Sequence, residues 1–555
     1  MEGLGEKQLI NSLVVLILLV LVLSAAFYPL YPDEVAYRIT LGRFLQNGGL
    51  KQTLMPFCEA AFLQPVPLVL YPAAVFWAAV AFSGHGFLAY RWLSLSLLSI
   101  ILFIIIRREK KNQSSLLPAP LLKLSFGPII YGLIIFRPEI IIIFSGIILY
   151  CIQAFFLRNL QKRNVFLLSI VSILIFDVAV YTHPKAIYLC PLAAFSVIWG
   201  ARGFKKKLVQ ILWAISGLAV LAWISISLIK FDVYQCLHCP EVPSISEMLN
   251  STQSVNPIDL LNSPTKFFRE LSLVLDWKAF QKLSNRMTFN PPYDAAYLPN
   301  HSSNSVVRLL NFTFVFGFIS TFISCFWGVF TRIIRGRGNE RKNAISLALL
   351  FCAIGVPSVF NLNKAWYDVS FAVGGLYLVS CFLPETPIKG TGKNPIYRMR
   401  TYCYAFSVFI ALASQALISF YFTRHFLPLP KVTLGSIYEG PNISWLTDFS
   451  ATQKVVNSVM REANLTQDTP MIVDDLTYEF LKQRSRIAPA TYLGLMPNGN
   501  QQNSDSINRM GFKQGLVRCE LIRPLNNIFS SLKVLKRVSY LRLKSNPQEL
   551  CLFII

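Results

Sequence analysis

The residues Leu9 to Tyr28, LINSLVVLILLVLVLSAAFY, run directly into Tyr31-Pro32-Asp33-Glu34-Val35-Ala36-Tyr37-Arg38. The first stretch is about 20 predominantly apolar residues, long enough to cross a bilayer as a helix. The acid pair Asp33-Glu34 then falls at or just beyond a membrane surface. Carboxylates so close to hydrocarbon are costly to keep charged and tend to mark a function. Which side they face decides most of the reading.

The rest of the chain extends that pattern. Of its 555 residues 54% are hydrophobic and only 14% charged, with a mean hydropathy of +0.49. Repeated apolar runs of spanning length make this an α-helical polytopic membrane protein rather than a soluble one. The first run is too long for the core of a cleaved signal peptide. The net charge of +24 suggests nucleic acid at first sight, but the basic residues form short clusters between apolar runs. That distribution encodes topology and excludes a nucleic-acid surface. Most of the Cys residues are scattered singly in apolar segments, where they act as small hydrophobes.

The clusters fall at Arg107–Lys111, Arg158–Arg163, Arg202–Lys207, Arg332–Lys342 and Lys389–Arg400. Placing all of them in the cytoplasm makes the apolar runs pair up between them. The predicted spans are 9–29, 87–106, 119–136, 139–157, 165–181, 186–201, 208–229, 306–330, 343–362, 366–383 and 401–422, about eleven helices. Residues 63–82 are also apolar, but Pro65, Pro67 and Pro72 weaken a straight helix there, and counting it would invert every later loop. It reads as lying in the outer interface without crossing. The expected topology is a multi-pass plasma (inner) membrane protein with a cytoplasmic N-terminus. The outward connections are then a first loop over 30–86, Arg137-Pro138-Glu139, Thr182-His183-Pro184-Lys185, a long loop over 230–305, and 361–368.

A transmembrane domain over 1–425 thus precedes a more polar extracytoplasmic domain over 426–555. In the latter, Asp448–Ala463 reads as an amphipathic helix and Thr469–Asp474 as a strand. Asp475–Lys482 reads as a short helix capped by Asp475. Leu516–Ile522 reads as a further strand, and Val538–Leu543 with Leu550–Ile555 as a closing strand pair. This is a small α/β unit without a phosphate-binding glycine loop.

Taken on residue type, Asp33 could simply cap the helix Glu34–Leu45, with Glu34 near the positive end of its dipole. Capping needs only one acid, however, and leaves Tyr31, Tyr37, Arg38, Gly42 and Arg43 unexplained. An acid pair just after the first span, then a Tyr and a Gly-Arg-rich interfacial helix, resembles the first outer loop of the GT-C glycosyltransferases, of the protein O-mannosyltransferase and aminoarabinose-transferase type. The stretch Pro65-Val66-Pro67-Leu68 through to Arg91 is similar to that family's Pro-Pro-Leu segment, surface helix and following Arg. The resemblance covers residues 9–230 at motif level and the remainder in layout.

The resemblance implies an inverting enzyme that transfers a sugar from a polyprenyl-phosphate donor. The acceptor would be a lipid, a glycan or a protein at the outer face. Asp33 takes the place of the family's base, with Glu34 beside it; such a base must reach the attacking hydroxyl and be ionised. Glu139 falls where the family carries a second acid, or else merely opens a helix. Arg137 and Arg38 become donor-phosphate contacts, and Arg137 alternatively anchors a helix end. Lys185 becomes a fixed cation near the leaving phosphate, or a residue snorkelling to headgroups. Lys364, in Asn363-Lys364-Ala365-Trp366-Tyr367-Asp368, becomes another, with Trp366 where an Arg stands in relatives. Some family members use a divalent metal; His183 would join the acids as a ligand, or be structural.

The chain also departs from the pattern. Phe62-Leu63-Gln64 replaces the Glu-Lys that precedes the Pro-Pro-Leu stretch in aminoarabinose transferases, so metal and donor use do not transfer directly. Cys236 and Cys239 pair with each other, pair with Cys519 or Cys551, or belong to a zinc site. Two other classes remain: a transporter or flippase of lipid-linked sugars, and a scaffold displaying the C-terminal domain. A carrier would place ionisable residues inside the spans, where Asp177 is the main one.

Overall fold

The computed structural model describes residues 86–111, 132–135, 139–158, 165–182, 184–234, 325–360, 366–383, 449–466, 468–481, 486–490, 507–541 and 548–555, together with Leu19, Glu34, Arg137 and the pair 322–323. Most of the predicted spans 9–29, 119–136 and 306–330 lies outside them, as does all of 401–422. So do the apolar stretch 63–82, the long loop beyond Tyr234 with Cys236 and Cys239, and Asp33, Arg38, His183 and Lys364.

The described apolar runs are helices, and charged or polar residues bound them. They are α1 (Gly86–Lys111), α2 (Glu139–Arg158), α3 (Val165–Thr182), α4 (Cys190–Ala201) and α5 (Lys207–Tyr234). After residues 325–335, also helical, come α6 (Asn339–Phe360) and α7 (Trp366–Ser380). The stretch predicted as one span over 186–201 instead begins with a 3₁₀ turn, Pro184–Leu189, before α4. Pro184 and Pro191 explain the break, because neither can donate to an α-helical ladder. Among the described residues two helices have windows long and apolar enough to cross a membrane, Glu139–Phe156 and Lys207–Ile226.

From α2 to α5 successive helices alternate in direction. Ser169 Oγ near the start of α3 donates to the Val197 carbonyl near the end of α4, so these two run opposite ways. Along α2, Gly146 comes beside Leu189, and Gln153 Nε2 donates to the Leu192 carbonyl at 2.9 Å. The contacts advance together along both chains, so α2 and α4 run the same way. Small residues permit the close approach. A Cβ on Gly146 of α2 would stand 2.6 Å from Leu350 of α6 and 3.1 Å from Leu189. Leu189, Ala193, Val197, Phe176 and Leu221 pack together in the interior. By contrast, Leu208, Ile211, Leu212 and Ile215 of α5 are each more than half exposed. Phe326, Trp327 and Ile334 are also mainly exposed.

The alternation gives the unit two chemically different ends. At one, Arg108 lies over the Phe382 ring just beyond α7, and Arg202 and Lys342 both lie over Trp199. At the other are the first turns of α1 and α2 and the turn Pro184–Leu189.

The C-terminal residues form a separate α/β unit. Its helices are α8 (Phe449–Glu462), α9 (Asp475–Leu481) and α10 (Ile522–Asn526). Its strands are β1 (Met471–Val473), β2 (Ile487–Pro489), β3 (Gln514–Arg518), β4 (Lys533–Leu541) and β5 (Gln548–Ile554). The sheet order is β2-β1-β3-β5-β4, with β1 parallel to β2 and β3, and β5 antiparallel to β3 and β4. Side chains alternate between faces, as the strand period requires. Met471, Val473, Leu516, Leu550 and Leu552 meet Val456, Val459 and Tyr478 on one face. Ile472, Val517 and Phe553 meet Phe512, Leu525 and Phe529 on the other.

The helix cap differs from the expectation. Asp474, not Asp475, caps α9: its Oδ1 accepts from Thr477 N at 2.7 Å, and Thr477 Oγ1 accepts from Asp474 N at 3.0 Å. A cap lies one residue outside the helix, and α9 starts at Asp475. The other oxygen of Asp474 accepts from both the backbone N and Nε of Arg518, at 2.8 and 2.9 Å. This ties the end of β1 to the end of β3.

Cys519 and Cys551 form a disulfide with each other where β3 meets β5, so neither is the partner that the sequence offered to Cys236 or Cys239. Its sequence separation of 32 residues corresponds to about 3–4 kcal/mol in the loop-closure account. Dithiothreitol should therefore speed amide hydrogen exchange across β3 and β5 by orders of magnitude while leaving α2 to α4 unchanged. Equal protection of both strands with and without reductant would rule out a stabilising role for the bond.

Candidate functional site: two buried arginine–carboxylate pairs

Of the acid pair Asp33-Glu34, Glu34 is the member among the described residues, and the fold pairs it with a cation. Glu34 is fully buried, and so is Arg91, in the second turn of α1. Arg91 Nε donates to Glu34 Oε1 at 2.9 Å and Nη2 to Oε2 at 2.8 Å. This is a fork-on-fork pair, the strongest geometry open to a guanidinium and a carboxylate. It joins residues 57 apart in sequence and fastens Glu34 to α1.

A second pair has the same form. Arg137 Nε and Nη2 donate to Glu139 Oε2 and Oε1 at 3.1 and 2.8 Å, and both residues are buried. Glu139 is the first residue of α2, so the carboxylate also meets the positive end of that helix dipole. The backbone bends to allow this, with Arg137 N donating to the Ile135 carbonyl at 2.9 Å.

One carbonyl links the two pairs. Ile135 O also accepts from Ser94 Oγ at 3.1 Å, and Ser94 lies three residues beyond Arg91 on the same face of α1. Both pairs therefore occupy the same end of the helical unit. Lys185 belongs to that end too: its backbone lies in the turn Pro184–Leu189, whose Leu189 packs towards α2 at Gly146. The structure thus brings Glu34, Arg137, Glu139 and the Lys185 backbone to one end.

Arg91 is the residue that sequence reasoning did not assign to the site, although it closed the motif carried by the resemblance. A signal was present: an Arg inside the apolar run 87–106. A guanidinium at that depth must have an anionic partner or a functional task. The identity of that partner was not readable.

The geometry constrains the chemistry. Both oxygens of Glu34 and both of Glu139 accept from guanidinium groups, so neither carboxylate fits a divalent cation as it stands. Among the described residues no group of three or more His, Cys, Asp or Glu is placed to hold a metal ion. Each pair holds in place the backbone that carries its carboxylate.

Removing one member of such a pair strands the other charge, which costs about 3–5 kcal/mol. Arg91→Ala and Glu34→Gln should each lower the melting temperature of detergent-solubilised protein sharply. The double variant should be less destabilised than the sum of the two. Additive losses would show that the pair is not coupled. A scan against protein-family models finds no match to this chain, and a search of curated proteins finds none either.

Proposed function

We propose that the chain is a multi-pass membrane glycosyltransferase of GT-C type, with about eleven spans. It would transfer a sugar from a polyprenyl-phosphate donor to a lipid, glycan or protein acceptor at the extracytoplasmic face. The observation that carries the reading is the buried Glu34–Arg91 clamp, which holds the residue adjacent to Asp33 at the same end as Arg137–Glu139. Of two neighbouring acids, one is immobilised by an arginine, and the base assignment falls on Asp33.

On this reading Asp33 accepts the proton of the acceptor hydroxyl as its oxygen attacks the anomeric carbon. The bond from that carbon to the phosphate oxygen breaks, and polyprenyl phosphate leaves with inversion at carbon. Lys185, Lys364 and Arg38 are assigned to the departing phosphate, where fixed cations stabilise the developing charge. Arg137, already paired with Glu139, acts as a positioning residue.

The exposed apolar faces of α5 and of residues 325–335 support burial in lipid, since such surface is unfavourable in water. The end-to-end division between basic turns and acid–cation pairs supports the same orientation rule used on the sequence. The Cys519–Cys551 disulfide supports an oxidising, extracytoplasmic location for the C-terminal unit. One observation favours a carrier instead: Asp177 is buried within α3, and its Oδ1 has no hydrogen-bond partner among the described residues.

Asp33→Asn separates the readings. It should reduce transfer from a polyprenyl-phosphate sugar by roughly 10²–10⁴-fold without changing the melting temperature. Mass spectrometry of envelope lipids and glycans, with wild type and variant, reads the loss. An unchanged glycan profile would remove Asp33 from the chemistry.

A further inference from the structure

The end of the helical unit opposite the acid pairs carries a second constellation. Trp199, in the last turn of α4, is stacked on Phe195 and nearly buried. Two cations from different elements converge on its ring. Arg202, directly after α4, lies 4.3 Å from the ring centroid, and Lys342 of α6 lies 3.8 Å away. Like charges brought onto one indole repel each other, and the ring only partly offsets that. Among the described residues Arg202 and Lys342 form no ion pair. Lys342 has only a long contact, 3.5 Å, to Asn339 Oδ1.

The surroundings increase the positive field. Lys205, Lys206 and Lys207 follow Arg202 and are exposed. Arg335, Arg337 and Arg341 precede Lys342 and are exposed as well. Over 202–207 and 332–342 the one acid is Glu340, and it faces Arg332 at 3.5 Å. Each basic turn adjoins exposed apolar surface. Leu208, Ile211 and Leu212 begin directly after Lys207, and Phe330 and Ile334 lie just before Arg335.

We propose that the Trp199–Arg202–Lys342 node binds the headgroup of an anionic phospholipid. A phosphate seated there would relieve the repulsion between the two cations. The exposed apolar side chains next to both turns would take the acyl chains. That combination of a charged head and a long apolar body selects a lipid over a soluble anion. Basic pockets between helices at a membrane surface are suited to such headgroups. The proposal rests on the membrane part of the function proposed above and not on glycosyl transfer.

The test titrates full-length, detergent-solubilised protein with phosphatidylglycerol or phosphatidylcholine, and native mass spectrometry counts bound lipid. Phosphatidylglycerol should bind more tightly, and the preference should fall as salt rises. Arg202→Gln with Lys342→Gln should weaken that binding roughly thirtyfold. The charge-keeping pair Arg202→Lys with Lys342→Arg should retain it, and Lys454→Gln in α8 should leave it unchanged. Equal affinity of the unmodified protein for both lipids overturns the site, whether or not the variants fold. So does an unaltered phosphatidylglycerol affinity in the Gln pair, or displacement of the lipid by millimolar inorganic phosphate. A chain that stays in solution without detergent overturns the membrane reading, and the lipid site with it.

Discussion

Burying a guanidinium in an apolar helical unit is tolerable only if a carboxylate meets it with both oxygens, and among the described residues this arrangement occurs twice. Taking either ion out of water alone costs several kcal/mol, and bidentate pairing with further hydrogen bonding is what offsets it. Glu34–Arg91 and Arg137–Glu139 meet that requirement. The consequences are spatial. The first pair holds Glu34 against α1, and the second sits where the chain bends into α2. The Ile135 carbonyl, shared by Ser94 and Arg137, keeps them at one end. Whatever chemistry occurs at that end inherits a rigid frame.

The two ends of the helical unit solve the charge problem differently. At the acid end, cations and anions are buried together in matched pairs. At the basic end, cations outnumber acids and remain exposed, or lie over aromatic rings. The second arrangement is cheap only where water or anionic groups can approach. On the proposed reading, the first end handles a lipid phosphate during transfer, and the second contacts lipid phosphates that do not react.

Much of this was legible in the sequence, for identifiable reasons. Helix positions followed from apolar runs bounded by charge: α2, α3 and α5 match their expected spans within a few residues at most ends. The closing strand pair was readable as well, though β4 begins at Lys533, five residues before the expected Val538. Local detail was less legible. Asp474 and Asp475 are chemically identical candidates for a cap, and only the true helix start distinguishes them. Long-range pairing was not legible at all. Nothing local links Glu34 to Arg91 or Asp474 to Arg518, because those partners are chosen by packing of whole elements. Lys342 and Arg202 appeared as separate topology signals, and their meeting at Trp199 required the fold.

Both the transfer chemistry and the lipid site depend on the two ends of the helical unit lying on opposite faces of a membrane. Sided cysteine labelling decides this. Two variants, Asn47→Cys in the segment 30–86 expected outside and Lys206→Cys in the turn before α5, are treated in intact cells with a membrane-impermeant maleimide. Mass spectrometry then reads modification of the peptide that carries each introduced thiol. Position 47 should react in intact cells, and position 206 only after permeabilisation. Labelling of both positions from the same side refutes the two-faced arrangement.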